Sequence, residues 1–145
     1  MKIPSVPLTI VYKVVRINRR GTTDKFNGKI RSTRMFSANA GAKLDGEFVV
    51  EYKLRHQTFP RDDSGQALFV CSTLEEAKTW WRMFEMSFPC HILRGYAANV
   101  RRRYADEIPM DPAFKNHTYF GYTGEDMVLC DWFIPIGIVV KSTHY

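Results

Sequence analysis

Ala67-Leu68-Phe69-Val70-Cys71-Ser72-Thr73-Leu74-Glu75-Glu76-Ala77-Lys78-Thr79-Trp80-Trp81-Arg82-Met83-Phe84-Glu85, followed after a short break by Cys90-His91-Ile92-Leu93-Arg94-Gly95-Tyr96-Ala97, is the stretch on which the fold turns. Its first five residues are uninterrupted apolar, the pattern of a buried strand. Ser72-Thr73-Leu74-Glu75-Glu76 is a capping box, with Ser72 or Thr73 as N-cap and Glu75 or Glu76 three residues on. Behind it Leu74, Ala77, Trp81 and Phe84 follow helical spacing, which assigns Trp81 to the core stripe. Trp80 stands about 100° round the wheel and is expected to be partly exposed, over a loop or at a subunit contact. Pro89 ends the helix. Residues 67–97 therefore predict strand–helix–strand.

Working outward, Leu8 to Arg16 is β-branched and reads as a mostly buried strand. Asn18 to Thr23 is turn chemistry, and Lys29 to Phe36 is a shorter return strand, so 8–36 is a basic N-terminal hairpin. Gly46 to Leu54 alternates, with Phe48, Val50 and Tyr52 on one face and Val49, Glu51 and Lys53 on the other. His56 to Gln66 is expected as an exposed loop, and 105–126 is loop-rich around Pro109, Pro112, Gly121 and Gly124. The C-terminal strand region, 127–141, closes the fold as one bent strand or two, interrupted at Pro135. The expected architecture is a single α+β domain over residues 1–145. It is a mostly antiparallel twisted β-sheet packed with one main α-helix at about 73–86.

With 45% hydrophobic and 25% charged residues, the 145-residue chain is excluded from the disordered class. No apolar run approaches the roughly 18 residues of a membrane span. Met1 to Pro7 lacks an apolar h-region, so no secretory signal is expected. Cys71, Cys90 and Cys130 are odd in number and form no C-x-x-C pair, which favours a reducing, cytoplasmic compartment. Cys71 and Cys130 lie in apolar runs and read as core residues; Cys90, beside His91, alone has a reactive neighbour.

Charge is the informative part of the composition. The formal net charge is +6, yet residues 1–35 hold nine basic groups (Lys2, Lys13, Arg16, Arg19, Arg20, Lys25, Lys29, Arg31, Arg34) against Asp24 alone. The rest of the chain is slightly acidic, apart from a second basic focus at Arg101-Arg102-Arg103. Such segregation attracts polyanions, and the guanidinium fork suits phosphate. Tyr104 follows the triplet, and His117-Thr118-Tyr119-Phe120-Gly121-Tyr122 is an aromatic loop. Arginines beside aromatics hold phosphates while stacking bases. The candidate anion contacts are Arg16, Arg19, Arg20, Arg31, Arg34, Arg101, Arg102 and Arg103; the candidate stacking residues are Trp80, Tyr104, Tyr119 and Tyr122.

The order Tyr12-Lys13-Val14-Val15-Arg16, Ser37-Ala38, Val50-Glu51-Tyr52 and Leu68-Phe69-Val70-Cys71-Ser72-Thr73-Leu74-Glu75-Glu76-Ala77 resembles a group of small phage-encoded proteins over about residues 10–97. That resemblance implies a viral origin, a small α+β fold and the host cytoplasm, and carries over no catalytic residue. The strand–helix–strand of 67–97 is also similar to the middle of ADP-ribosyltransferases, a likeness that would cast Tyr119, Tyr122 and Glu125 in the enzyme's roles. It lacks the Ser-Thr-Ser run and the Glu-x-Glu pair of those enzymes.

Other chemistry finds little footing. His56, His91, His117 and His144 have no zinc spacing, and there is no G-x-G-x-x-G or Walker lysine. A Cys90, His117 and Asp131 trio is one of many Cys-His-Asp combinations, and the acid pairs Asp62-Asp63, Asp106-Glu107 and Glu125-Asp126 fall in loop-like sequence. No metal and no cofactor is expected. The expectation is a non-enzymatic binding protein that holds a nucleotide or other phosphate-bearing ligand, sequestering a second messenger of host immunity. The alternative is an inhibitor whose basic hairpin covers an acidic or nucleic-acid-binding surface of a host enzyme. Trp80 and the hairpin leave room for a homo-oligomer, and no membrane is expected as a partner.

Overall fold

Valine, isoleucine, threonine and tyrosine crowd residues 8–17, and such side chains fit a pleated, half-buried surface better than a helix. In the computed structural model, which describes residues 7–18, 34–37, 50–60, 67–102 and 127–143, they form β1 (Leu8–Asn18). β1 organises the sheet from both of its edges. Along one edge runs β5 (Cys90–Ala98), antiparallel from Leu8↔Ala98 to Arg16↔Cys90. The other edge is shared: β4 (Leu68–Cys71) pairs at Tyr12↔Cys71, and β2 (Arg34–Ser37) pairs from Val15↔Ser37 to Asn18↔Arg34. β1 and β2 thus pair antiparallel, with residues 19–33 of the expected hairpin outside the described residues, and β3 (Glu51–Tyr52) extends the pair beyond β2.

Alternation along β1 sorts two cores. Val11, Val15 and Ile17 enter the inside of the curled sheet with Met35, Tyr52, Leu68, Val70, Leu93 and Phe133. Val14 faces the helix side with Phe69, Cys71, Cys90 and Ile92. β4 feeds both clusters, which is why its four residues are all buried and its sequence shows no polar alternation.

The helix, α1 (Leu74–Glu85), is capped by Thr73, whose side chain accepts from the Glu76 N–H at 3.2 Å. Its buried stripe is Ala77, Trp80 and Phe84, so the expected assignment of the two tryptophans is reversed. Trp80 is 2% exposed and stacks on Phe84, with ring centroids 5.7 Å apart. Trp81 stands at the margin of the stripe, where its Nε1–H reaches the Cys90 carbonyl at 2.9 Å. The reason is polar: an indole at the margin packs its ring and still satisfies its donor on the strand. Trp80 is thus a core residue and is withdrawn as a stacking or subunit contact.

The C-terminal region also differs from expectation. It forms two strands, β7 (Met127–Cys130) and β8 (Trp132–Val140), and the break falls at Asp131. Pro135 lies inside β8, opposite Gly95 and next to a register shift between Arg94 and Gly95. A proline is tolerated there because β8 runs at the margin of the sheet, where no ladder N–H is needed from it. Its carbonyl accepts from the Arg55 N–H at 2.7 Å, and Thr58 and Phe133 exchange backbone bonds of 2.7 and 3.0 Å. Of the exposed loop expected over 56–66, His56, Gln57 and Phe59 are exposed while Thr58 is buried by this bridge; residues 61–66 lie outside the described residues. β6 (Arg101–Arg102) pairs with β7, so β5–β6 and β7–β8 make one long hairpin bent at Asn99, whose φ is 54°, and Asp131. Because β7 also pairs with β4, this bend curls the sheet back toward β1. The result is a small domain of mostly antiparallel curled sheet with one helix against it, among the described residues.

Close strand approach makes Gly95 obligatory: a Cβ there would collide with the Ile134 carbonyl and the Phe133 ring, whereas one at Gly137 would meet nothing within 4 Å. Gly95→Ala is expected to cost more than about 2 kcal/mol in a urea melt. Gly137→Ala, in the same strand pair, is expected to be neutral or stabilising by about 0.4–1 kcal/mol.

Candidate functional site

Three aromatic rings lead from the core to the surface. Trp80 stacks on Phe84, Phe84 stacks on Phe88 at 5.6 Å, and the Arg16 guanidinium carbon lies 5.1 Å from the centre of the Phe88 ring. Phe88 is held just past the helix, where its N–H bonds the Phe84 carbonyl and the next carbonyl, that of Pro89, accepts from the Ile17 N–H. Arg16 is therefore positioned by packing, and among the described residues no carboxylate or carbonyl accepts a hydrogen bond from it. A guanidinium laid on a ring keeps its five in-plane donors available for an oxyanion.

Strand register brings a second arginine to the same face. Arg16 sits directly opposite Phe36 on β2, and Phe36 sits opposite Glu51 on β3. Arg34, two residues from Phe36, shares that face and lies 4.7 Å over the Phe36 ring. Its Nε and one terminal nitrogen each donate to a different oxygen of Glu51 at 3.1 Å, a bidentate pair. The Arg34 hydrogen bond holds the Glu51 carboxyl below its ordinary range, against the opposing effect of burial. Phe36, Phe88 and Glu51 escaped the reading of the sequence as site residues. The Arg34-x-Phe36 spacing was a readable signal for one face, but Phe88 and Glu51 join it only through register.

The remaining candidates divide. Arg101 donates to Asp131 at 2.9 Å and to the Asn99 carbonyl at 3.3 Å, and Asn99 donates to Asp131 at 3.0 Å, so Arg101 ties down the hairpin bend. It does not join Arg16. Arg16 pairs with Cys90 at one end of the β1–β5 ladder, whereas Arg101 follows the other end, past Ala98, and is bound to Asp131 there. Arg102 has a described backbone in β6, opposite Val128. Arg19, Arg20, Arg31, Arg103, Tyr104, Tyr119 and Tyr122 lie outside the described residues, as does Glu125. Lys13 leaves the surface field: it is 2% exposed and its ammonium donates to the Phe69 carbonyl at 2.7 Å.

The Cys90-His91 neighbourhood is built for structure. Burial, with the Glu85 charge, pushes the Cys90 thiol up, away from thiolate reactivity, and Cys71 is pushed up by burial likewise. His91 Nδ1 accepts from the Ser142 N–H at 2.9 Å, so that nitrogen carries no proton, and burial holds the imidazole below its ordinary pKa. Asp131 sits at the far end of β5, where its N–H bonds the Ala98 carbonyl, too distant to complete a trio with Cys90. Glu85 is the hub instead: one oxygen accepts from Ser142 Oγ at 2.7 Å and from the Thr143 N–H and Oγ1 at 2.7 and 2.9 Å, the other from the Cys90 N–H at 2.8 Å.

The described residues contain no cluster of His, Cys, Asp or Glu able to hold a metal ion, and no helix among them is long and apolar enough to cross a membrane. No family model, curated protein or solved structure matches the chain.

Burial alone would push the Glu85 pKa up, but its hydrogen bonds from Ser142, Cys90 and Thr143 outweigh that and hold it below the ordinary value. The stabilisation is therefore complete above the unfolded-state carboxyl pKa and is lost as pH falls through the lower folded value. Glu85→Gln is expected to cost about 2 kcal/mol at neutral pH. The gap between wild type and variant should narrow in urea melts at strongly acidic pH.

Proposed function

We propose that this protein is a non-enzymatic binding module for a phosphate-bearing ligand, a nucleotide or a nucleic-acid strand, held on the sheet face formed by Arg16, Arg34 and Phe88. The observation that carries the reading is the Arg16 guanidinium, fixed on the Phe88 ring with no intramolecular carboxylate to satisfy it among the described residues. A preset, uncompensated guanidinium loses little entropy on binding and matches phosphate oxygens with its fork.

The charge distribution supports the same end of the molecule. Residues 16–34 carry seven basic side chains against Asp24, a net charge equal to that of the whole chain. β1 ends and β2 begins at one end of the sheet, since Asn18 pairs with Arg34. The chain between them, with Arg19, Arg20, Lys25, Lys29 and Arg31, leaves and returns there. A polyanion is steered to such an end before any specific contact forms. The motif order that resembles phage proteins gives the reading its specific form, sequestration of a nucleotide signal.

The test is fluorescence anisotropy with a labelled single-stranded oligonucleotide over a range of salt, with ATP and a cyclic dinucleotide as competitors. Binding is expected to weaken linearly in log–log form, by about 0.7 for each phosphate neutralised. Arg16→Ala should weaken it roughly tenfold, the loss of one charged hydrogen-bonding group. Effective competition by either nucleotide identifies a small-molecule ligand, and its absence identifies a strand. An oligonucleotide and nucleotides that all fail to bind at low salt, or that bind Arg16→Ala as they bind wild type, would overturn the reading.

A further inference from the structure

Arg34 and Arg16 share one face and one neighbour, Phe36, yet they are in opposite electrostatic states. Arg16 has no carboxylate partner among the described residues, while Arg34 is closed by Glu51 through two bonds of 3.1 Å. The two arginines occupy diagonal positions across the β1–β2 pair, with Cβ atoms about 7 Å apart by strand geometry. Their long stems let one ligand span both. Glu51 and Arg34 are 30% and 40% exposed in their side chains, so the pair opens to solvent and is exchangeable.

We propose that Glu51 is the specificity-determining residue of this face: its carboxylate occupies the Arg34 fork that a ligand phosphate takes, so that phosphate-bearing ligands enter and carboxylate-bearing ones are turned away. The proposal rests on the reading of the Arg16 face as a phosphate site. A ligand anchored on Arg16 presents its second anionic group to Arg34 and must displace Glu51. A ligand carboxylate offers Arg34 what Glu51 already supplies, and Glu51 competes from the same chain at high effective concentration. A terminal phosphate carries about −1.5 to −2 charges and three acceptor oxygens, and wins the exchange. A phosphodiester carries one charge per group but presents successive groups, so it gains by occupying both arginines.

Glu51 is held in the ionised form by Arg34, so the competitor is present throughout the neutral range. Its two hydrogen bonds both come from Arg34, while Lys53 acts on it only through space. No corresponding carboxylate guards Arg16 among the described residues, which makes Arg16 the point of entry and Arg34 the point of selection.

The experiment is competition against the labelled oligonucleotide by a polyglutamate peptide, with wild type, Glu51→Gln and Glu51→Asp compared at constant ionic strength. Glu51→Gln should bind the oligonucleotide about twofold more tightly and should let polyglutamate compete roughly fivefold better, the scale of an exposed ion pair. Glu51→Asp retains the charge on a shorter stem and should fall between the two. Thermal melting of each variant confirms that it is folded. Polyglutamate competition that is unchanged in Glu51→Gln, while Arg16→Ala still weakens the oligonucleotide, would overturn this inference and leave the phosphate-binding reading standing. Failure of the oligonucleotide, ATP and the cyclic dinucleotide alike to bind wild type, Glu51→Gln and Glu51→Asp at low salt would overturn both.

Discussion

The use of both edges of β1 constrains everything else in this molecule. A strand has two hydrogen-bonding edges and two faces, and β1 has a use for all four. β5 takes one edge from Leu8 to Arg16, and β4 and β2 divide the other. With its edges occupied, Val11, Val15 and Ile17 line the inside of the curl, and Tyr12 and Val14 meet the helix side. A slip of one residue would exchange Val11, Val15 and Ile17 with Tyr12, Val14 and Arg16, and would turn the Arg16 guanidinium into the apolar interior. The register of β1 therefore decides the core and the position of the candidate site together.

Packing then transmits order from that core to the surface. The stack of Trp80, Phe84 and Phe88 is continuous, and Arg16 completes it as a cation over the last ring. Arg16 is held by dispersion and by the ring quadrupole, interactions that leave its donors available. Beside it, Glu85 fastens the chain's return: the helix end, the start of β5 and residues 142–143 all meet on one carboxylate. A buried charge is tolerable only when its lone pairs are filled, and here four donors fill them.

Three arginines illustrate how context divides one residue type. Arg101 belongs to Asp131 and stabilises a bend; Arg34 belongs to Glu51 and is exchangeable; Arg16 belongs to a ring. Their distance from carboxylates, rather than their number, separates structural from ligand-facing charge. Lys13 makes the same point from inside the sheet, where alternation carried a basic residue away from the surface field that its neighbours create.

What the amino-acid sequence determined by itself was local. Cap chemistry at Thr73, the β-branched run of β1, the two-sided apolar run of β4 and the concentration of positive charge before residue 35 each depend on neighbours a few positions apart, and each is legible without a fold. Tertiary structure alone decided which tryptophan is core, because a 100° step round a helix acquires meaning only against the Cys90 carbonyl that receives the Trp81 donor. It decided that the C-terminal strands break at Asp131, because Asn99 and Arg101 converge there, and that Pro135 is acceptable opposite Gly95. It separated Arg101 from Arg16 and joined Phe36, Phe88 and Glu51 to the site. Phe36, Glu51 and Phe88 are 20, 35 and 72 positions from Arg16 and come to it only through strand register and packing, so no local pattern could have united them with it.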